Sequence, residues 1–224
     1  MIGKNMHGHR RIYPQGLLRQ FYLRLRGTEQ ILVRPAAELP LVLISYAKGD
    51  FEGMEHLKES IEETWMTLPD TFRKRYADVL RQVPPFVVVL LRRRNLCTCL
   101  GHHHPPGSES RLTRRLRSMS GIATGEIDLA YEAIREWEPQ PLSFPALPSP
   151  ADTEEFLSFQ WQLALLAVFL HELHHLVSRS EPETVVRGQS QKFYEDVLSH
   201  FVSSRFGVQY GLRHVEESST GAQK

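Results

Sequence analysis

Apolar residues are densest in one segment of this chain, from Phe156 to Leu176. They occur almost all round a helical period there, which predicts a central helix packed on every side. Ser149 and Pro150 offer an N-cap and a first helical residue for it, and Asp152 with Glu155 repeats the start signal about one turn later. The unbroken apolar run inside it has 8 residues, against the ~20 that a membrane span needs. The segment therefore predicts a buried helix of a globular domain.

Elsewhere the polarity pattern changes repeatedly between strand-like and helix-like stretches. Apolar residues alternating with arginines, or short apolar runs, predict strands, and helical spacing predicts helices before and after the central one. The predicted strands are 21–26, 31–33, 41–44, 86–91, 96–100 and 125–129; the predicted helices are 50–68, 69–83, 130–137 and a segment around 193–201. This mixture predicts an α+β fold.

At 224 residues the chain is long enough for one full domain with a sizeable core. We expect residues 1–50 to form a basic segment and a β unit, which either stands apart or belongs to the main sheet. Residues 51–213 would form the main domain, and 214–224 a flexible polar tail. Five prolines between positions 139 and 150 predict a surface loop before the central helix, and this loop is a candidate lid.

Composition and charge narrow the class of protein. Hydrophobic residues make up 41% of the chain and charged residues 24%, as in soluble globular domains. The formal net charge of +1 favours neither nucleic acid nor an acidic surface as a partner. The basic N-terminus lacks the apolar stretch of a secretory signal, and two cysteines are too few and too close for a disulfide framework. We therefore expect a cytoplasmic protein without a membrane span.

His171, Glu172 and His175 form a His-Glu-x-x-His motif near the end of the central helix. Residues four apart lie on one face of a helix, so the two imidazoles can bind one metal ion. Glu172 is placed to act as general base on a water molecule that the ion activates. Two histidines hydrogen-bonded in a core are the alternative, but burying them with a glutamate is costly unless something pairs with them. The motif therefore favours a metal site.

A catalytic zinc ion needs a third protein ligand and an open position for water. Glu195 lies twenty positions after His175, in a segment whose apolar spacing predicts a second helix. Its neighbour Asp196 and the earlier Glu181 are the other candidates. The residues alone leave the three carboxylates open.

The region 171–201 resembles the active site of zincin metallopeptidases, and more narrowly that of gluzincins, in which a glutamate from a following helix completes the site. The resemblance implies zinc binding by His171, His175 and Glu195, with Glu172 as the general base. We therefore predict a zinc-dependent metallopeptidase with one zinc ion per chain and a peptide or protein as its substrate.

The resemblance also implies a zincin-like α+β fold, with a mixed sheet packed on the motif helix. An edge strand, which we assign to residues 96–101, would lie above the cleft and align an extended substrate. Two departures limit the likeness. Gluzincins usually have an aspartate at the position of Ser199, and metzincins have a glycine and a histidine at the positions of Ser178 and Glu181.

Peptide hydrolysis also needs a hydrogen-bond donor for the developing oxyanion. The sequence offers several donors beyond the motif, besides a loop arginine: Tyr194, His200, Tyr210 and His214. His174 lies on a different face of the predicted helix from His175. We expect it to pack in the core or to support the ligand residues.

Two other functions fit parts of the sequence. A zincin-like scaffold without proteolytic activity would keep the motif as a metal-binding or regulatory module. A nucleic-acid-associated protein would use the arginines between 92 and 117, although no aromatic platform accompanies them and a solvated helix face explains them better.

Three consecutive histidines, His102 to His104, follow Cys97 and Cys99. Histidine and thiolate are the usual zinc ligands, so these residues are candidates for a second metal site. Their spacing matches no structural zinc pattern, and we favour a solvated turn beside the cleft, from which one histidine reaches the substrate.

Overall fold

A mixed five-stranded sheet forms one layer of the molecule in a computed structural model, which describes residues 27–94, 99–137, 147 and 149–207. The strands are β1 (Thr28–Val33), β2 (Leu41–Ala47), β3 (Phe86–Arg92), β4 (Gly101–His103) and β5 (Thr124–Ala130). Their order is β1-β2-β3-β5-β4. β2, β3 and β5 are parallel, whereas β1 and β4 pair antiparallel at the two edges. The predicted α+β class is confirmed, and β1 and β2 belong to the main sheet.

Eight helices pack around this sheet in the described residues. They are α1 (Phe51–Glu59), which continues through a π-helical turn (Ser60–Thr64) into α2 (Trp65–Thr67); α3 (Asp70–Arg73), a 3₁₀ turn (Lys74–Tyr76) and α4 (Ala77–Leu80); α5 (Arg111–Ser120); α6 (Tyr131–Glu136); α7 (Pro150–Val177); and α8 (Glu183–Phe206). The predicted helices at 50–68 and 130–137 are confirmed. The one at 69–83 is divided into short segments.

The motif helix α7 forms where the apolar pattern predicts it. Ser149 is the N-cap, and its hydroxyl accepts a hydrogen bond from the Asp152 N–H at 3.2 Å. From Leu163 to Leu170 every residue is buried, because α7 contacts β4 and β5 on one side and α8 on another. Among the described residues α7 alone is long and apolar enough to cross a membrane, and 61% of its most apolar window is buried inside this fold.

The edge strand β4 differs from its predicted position. The sequence favours residues 96–101, but the strand lies at Gly101–His103; residues 95–98 are outside the described part. Its three residues are too few for an alternating pattern, and only pairing with β5 defines it. The predicted strand 21–26, the tail 214–224 and nearly all of the proline-rich loop also lie outside the described residues.

Alternation along β4 separates its side chains onto two faces of the sheet. Gly101 and His103 pair with Leu129 and Ile127, and all four lie on the face that packs against α7. His102 pairs with Asp128 on the opposite face. β4 therefore presents one glycine and one histidine to the motif helix.

Candidate metal centre

Two histidines of α7 lie one helical turn apart near its C-terminal end. The ring centroids of His171 and His175 are 4.7 Å apart, with the planes at 76°. His175 is buried and His171 is partly buried. Their spacing in the helix therefore brings the two imidazoles together, as the motif predicts.

The carboxylate beside them belongs to Glu183, the first residue of α8. One oxygen lies 2.9 Å from His175 Nε2, and the other 3.7 Å from His171 Nε2. One donor atom from each of the three residues lies within 4.8 Å of the others, the one such group of histidine, cysteine and acidic residues found in the described parts of the chain. Two imidazole nitrogens and one carboxylate oxygen are a ligand set of catalytic zinc, so these residues fit the ion.

Glu195, which the resemblance assigned as the third ligand, lies away from the two histidines. Glu195 is twelve residues further along α8 than Glu183, roughly 18 Å along the helix axis at 1.5 Å per residue. Its carboxylate accepts a hydrogen bond from Gln191 Nε2 at 2.8 Å. In the described residues, the acid grouped with the two histidines is therefore in the first turn of α8, not in its middle.

The two alternative carboxylates are also placed elsewhere. Asp196 forms an ion pair with Arg75 at 2.7 Å. Glu181 lies 3.1 Å from Nε2 of His174, which is buried on another face of α7. Neither acid belongs to the group around His171.

The negative charge of Glu183 favours the binding of a cation. Burial alone would raise its pKa, but hydrogen bonds with His171, His175 and Arg187 outweigh burial and hold the pKa well below its ordinary value. Arg187 lies one turn further along α8, with its guanidinium 2.8 Å from the carboxylate. Glu183 is therefore ionised at neutral pH, and Arg187 helps to fix its position.

A buried serine orients the first histidine. Ser190 Oγ lies 3.1 Å from His171 Nδ1 and donates its own proton to the Val186 carbonyl at 2.9 Å. Because the serine proton is used, the hydroxyl accepts from Nδ1–H, so Nε2 faces Glu183 and can bind a metal once it is deprotonated. Such outer contacts fix the tautomer and ring orientation of metal-binding histidines.

We predict that Ser190→Ala lowers zinc affinity by about 10–100-fold, the usual cost of losing an outer hydrogen bond to a histidine ligand. A competition titration with a chromogenic chelator measures it. Ser203→Ala is the matched control, because Ser203 makes the same bond to the carbonyl four residues earlier on an exposed turn of α8. Equal affinities of the two variants would contradict this role of Ser190.

Glu172 is buried beside the three donors but is not one of them. A Cβ atom at Gly101 would lie 2.5 Å from one of its carboxylate oxygens, and the His103 backbone N–H donates a hydrogen bond to it. Burial raises the pKa of Glu172 well above its ordinary value, and the charges of Glu183 and Asp128 raise it further. A carboxylate with a raised pKa is a stronger proton acceptor.

No family model, curated protein or solved structure matches this chain. What the chain does must therefore be inferred from its own residues. The grouping of His171, His175 and Glu183, with Glu172 beside it, carries that inference.

The consecutive histidines do not form the solvated turn that we expected. His103 stacks on His175, with ring centroids 5.3 Å apart and planes at 19°. Burial, together with neighbouring positive groups of which His175 is the foremost, lowers the pKa of His103 to about 4. His104 is buried on the other face, 3.0 Å from Asp128, which also pairs with Arg92 at 2.6 Å. These contacts divide the histidines between the two faces of the sheet.

A second metal site with the cysteines gains no support. Cys99 is disulfide-bonded and offers no thiolate, and Cys97 lies outside the described residues. His104 is already balanced by Asp128, and the pKa of His104 is raised by that carboxylate although burial opposes it.

The oxyanion donors suggested by the sequence lie away from the centre where they can be placed. Tyr194 is buried and packs against Trp137, with ring centroids 5.8 Å apart. His200 packs against Phe72, with centroids 5.5 Å apart. Tyr210 and His214 lie outside the described residues.

Ion pairs neutralise much of the arginine-rich region. Arg92, Arg93 and Arg117 pair with Asp128, Asp50 and Glu109, each at 2.6 Å. Arg94 pairs with Glu136. These contacts fit the solvated or structural role that the sequence favours over nucleic-acid binding.

Proposed function

We propose that this protein is a zinc-dependent metallopeptidase, with zinc bound by His171, His175 and Glu183. The observation that carries the proposal is the convergence of these three donors beside a separate buried carboxylate, Glu172. A structural zinc site is normally closed by four protein ligands, whereas three leave a position for reaction.

With zinc bound, the ligand residues would supply one negative charge and two imidazole nitrogens. Ser190 holds His171 by Nδ1, so Nε2 faces Glu183, and Glu183 stays ionised. Zinc bound there would polarise the scissile carbonyl and lower the pKa of a water molecule.

Glu172 is the general base in this proposal. It accepts a proton from the attacking water and passes it to the leaving amine, so the carboxylate returns to its starting state at the end of the reaction. Its burial against β4 holds the carboxylate in one position. A side chain fixed in this way gives up no conformational freedom in the reaction.

The fold supports a peptide as the substrate. β4 is an antiparallel edge strand next to the motif helix, and the likeness to zincins would give such a strand the alignment of the substrate. An extended peptide can add to such an edge through main-chain hydrogen bonds, with its scissile bond carried towards the three donors.

Hydrolysis of a mixed peptide library by zinc-loaded protein tests the proposal. We expect new peptide termini, detected by mass spectrometry, from the wild type. Glu172→Gln should lose activity by about 100-fold or more, because general-base catalysis contributes that much, yet should keep its zinc. Glu181→Gln is the matched control.

Two results would contradict the proposal. Equal cleavage by wild type and Glu172→Gln would assign the activity to another group or to a contaminant. Bound zinc without any cleavage would favour a zincin-like metal-binding module.

A further inference from the structure

The described oxyanion candidates from the sequence lie away from the centre, but one side chain of the edge strand lies beside it. His103 contacts the centre on two sides. Its ring stacks on His175, and its Nδ1 lies 4.0 Å from a carboxylate oxygen of Glu172. The backbone N–H of the same residue donates a hydrogen bond to that carboxylate. His103 is therefore fixed at both the backbone and the ring.

His103 is nevertheless not a fourth ligand in this geometry. The group of donor atoms that lie within 4.8 Å of one another contains His171, His175 and Glu183, without His103. Its side chain is 25% exposed, whereas that of Glu172 is 6% exposed. The imidazole thus reaches the solvent side of the centre, from which a substrate would approach.

A neutral imidazole carries one N–H donor. A donor held in a partly buried site stabilises a charge that develops during reaction, because it needs no reorganisation at that moment. Packing against His175 alone would need only a flat ring at position 103. The backbone contact and the approach of Nδ1 to Glu172 place a polar edge beside the base instead.

We propose that His103 donates a hydrogen bond from its imidazole to the carbonyl oxygen of the scissile bond as that oxygen gains negative charge. This inference rests on the proposed peptidase function and names a further catalytic residue for it. One short strand would then bind the reacting oxygen and align the peptide, through main-chain groups of β4 other than the His103 N–H, which is bonded to Glu172.

Binding of methylphosphonate, a tetrahedral anion, to cobalt-loaded protein tests this role without any known substrate. Visible absorption of the cobalt ion gives the metal content and the dissociation constant of the anion. His103→Phe keeps a flat ring on His175 but removes the donor, and His103→Ala removes both. His200→Phe is the matched control, since His200 packs against Phe72 away from the centre.

We expect both His103 variants to bind cobalt like the wild type but methylphosphonate at least about 10-fold more weakly. One oxyanion donor changes the reaction rate by roughly 100–1,000-fold. Binding of a stable tetrahedral anion reports only part of that effect, so the expected change in affinity is smaller. The His200 variant should match the wild type.

Unchanged anion binding in either His103 variant, or no anion binding by the cobalt-loaded wild type, would overturn the assignment of His103. Loss of cobalt in the His103 variants would also overturn it, since the residue would then support the metal. A wild type that binds no metal would refute the peptidase proposal itself, which distinguishes the two failures.

Discussion

Glu183→Gln should weaken zinc binding by more than about 100-fold, beyond the 10–100-fold cost of losing an outer contact to a ligand. The substitution keeps the shape of the side chain but removes the negative charge that faces His171 and His175. The same substitution weakens the ion pair through which Arg187 contacts this carboxylate at 2.8 Å. A competition titration with a chromogenic chelator measures the affinity.

Glu195→Gln is the matched control on the same helix. Its carboxylate contacts Gln191 and takes no part in the group around the histidines, so zinc affinity should equal that of the wild type. Loss of zinc in Glu195→Gln with retention in Glu183→Gln would restore the ligand implied by the likeness to gluzincins and would contradict the present site.

Gly101→Ala should reduce peptide cleavage by about 100-fold or more, the usual contribution of a positioned general base. An added Cβ would lie 2.5–2.8 Å from three atoms of the Glu172 side chain, so the carboxylate must move. Overpacking of this kind also lowers the free energy of unfolding by about 1–3 kcal/mol. Zinc binding should persist, because the three atoms nearest to the added Cβ all belong to Glu172, which is not a proposed zinc ligand.

The control is the same substitution at Gly188 on α8, where an added Cβ meets nothing within 4 Å. Alanine is the better helix former, so Gly188→Ala should be neutral or stabilising by up to about 1 kcal/mol. Thermal unfolding and library cleavage measured side by side check both variants. Full activity in Gly101→Ala would show that the position of Glu172 is not set by β4.

Features that depend only on residues close together in the chain could be predicted from the sequence. The apolar period from Phe156 to Leu176 locates α7, and the spacing of His171 and His175 brings their rings together without knowledge of the rest of the fold. Strand β3 was equally clear, because a central parallel strand buried on both faces is a continuous apolar run.

The third donor of the proposed site could not be chosen from the sequence, because several acids follow the motif. Which of them lies near the histidines depends on the conformation of the loop between α7 and α8. Pro182 and Glu183 do carry a local signal. Proline immediately before a helix and an acid in its first turn mark a helix start. That signal places the start of α8 next to the end of α7, but the likeness to gluzincins favoured the longer spacing to Glu195.

The role of the consecutive histidines depends on tertiary structure in the same way. A run of His102, His103 and His104 before two prolines indicates a turn, yet pairing with β5 makes its first two residues strand. Strand alternation then places His103 beside the candidate metal centre, and Asp128 stabilises the burial of His104. No pattern within the run predicts that the three histidines lie in different environments.

Anomalous diffraction from crystals of zinc-loaded wild-type protein, recorded at the zinc edge, tests the central claim most directly. We predict one peak per chain, at about 2.0–2.2 Å from Nε2 of His171, Nε2 of His175 and a carboxylate oxygen of Glu183. A peak at Glu195 or on the face that carries His104, or no peak in folded protein supplied with zinc, would contradict the site.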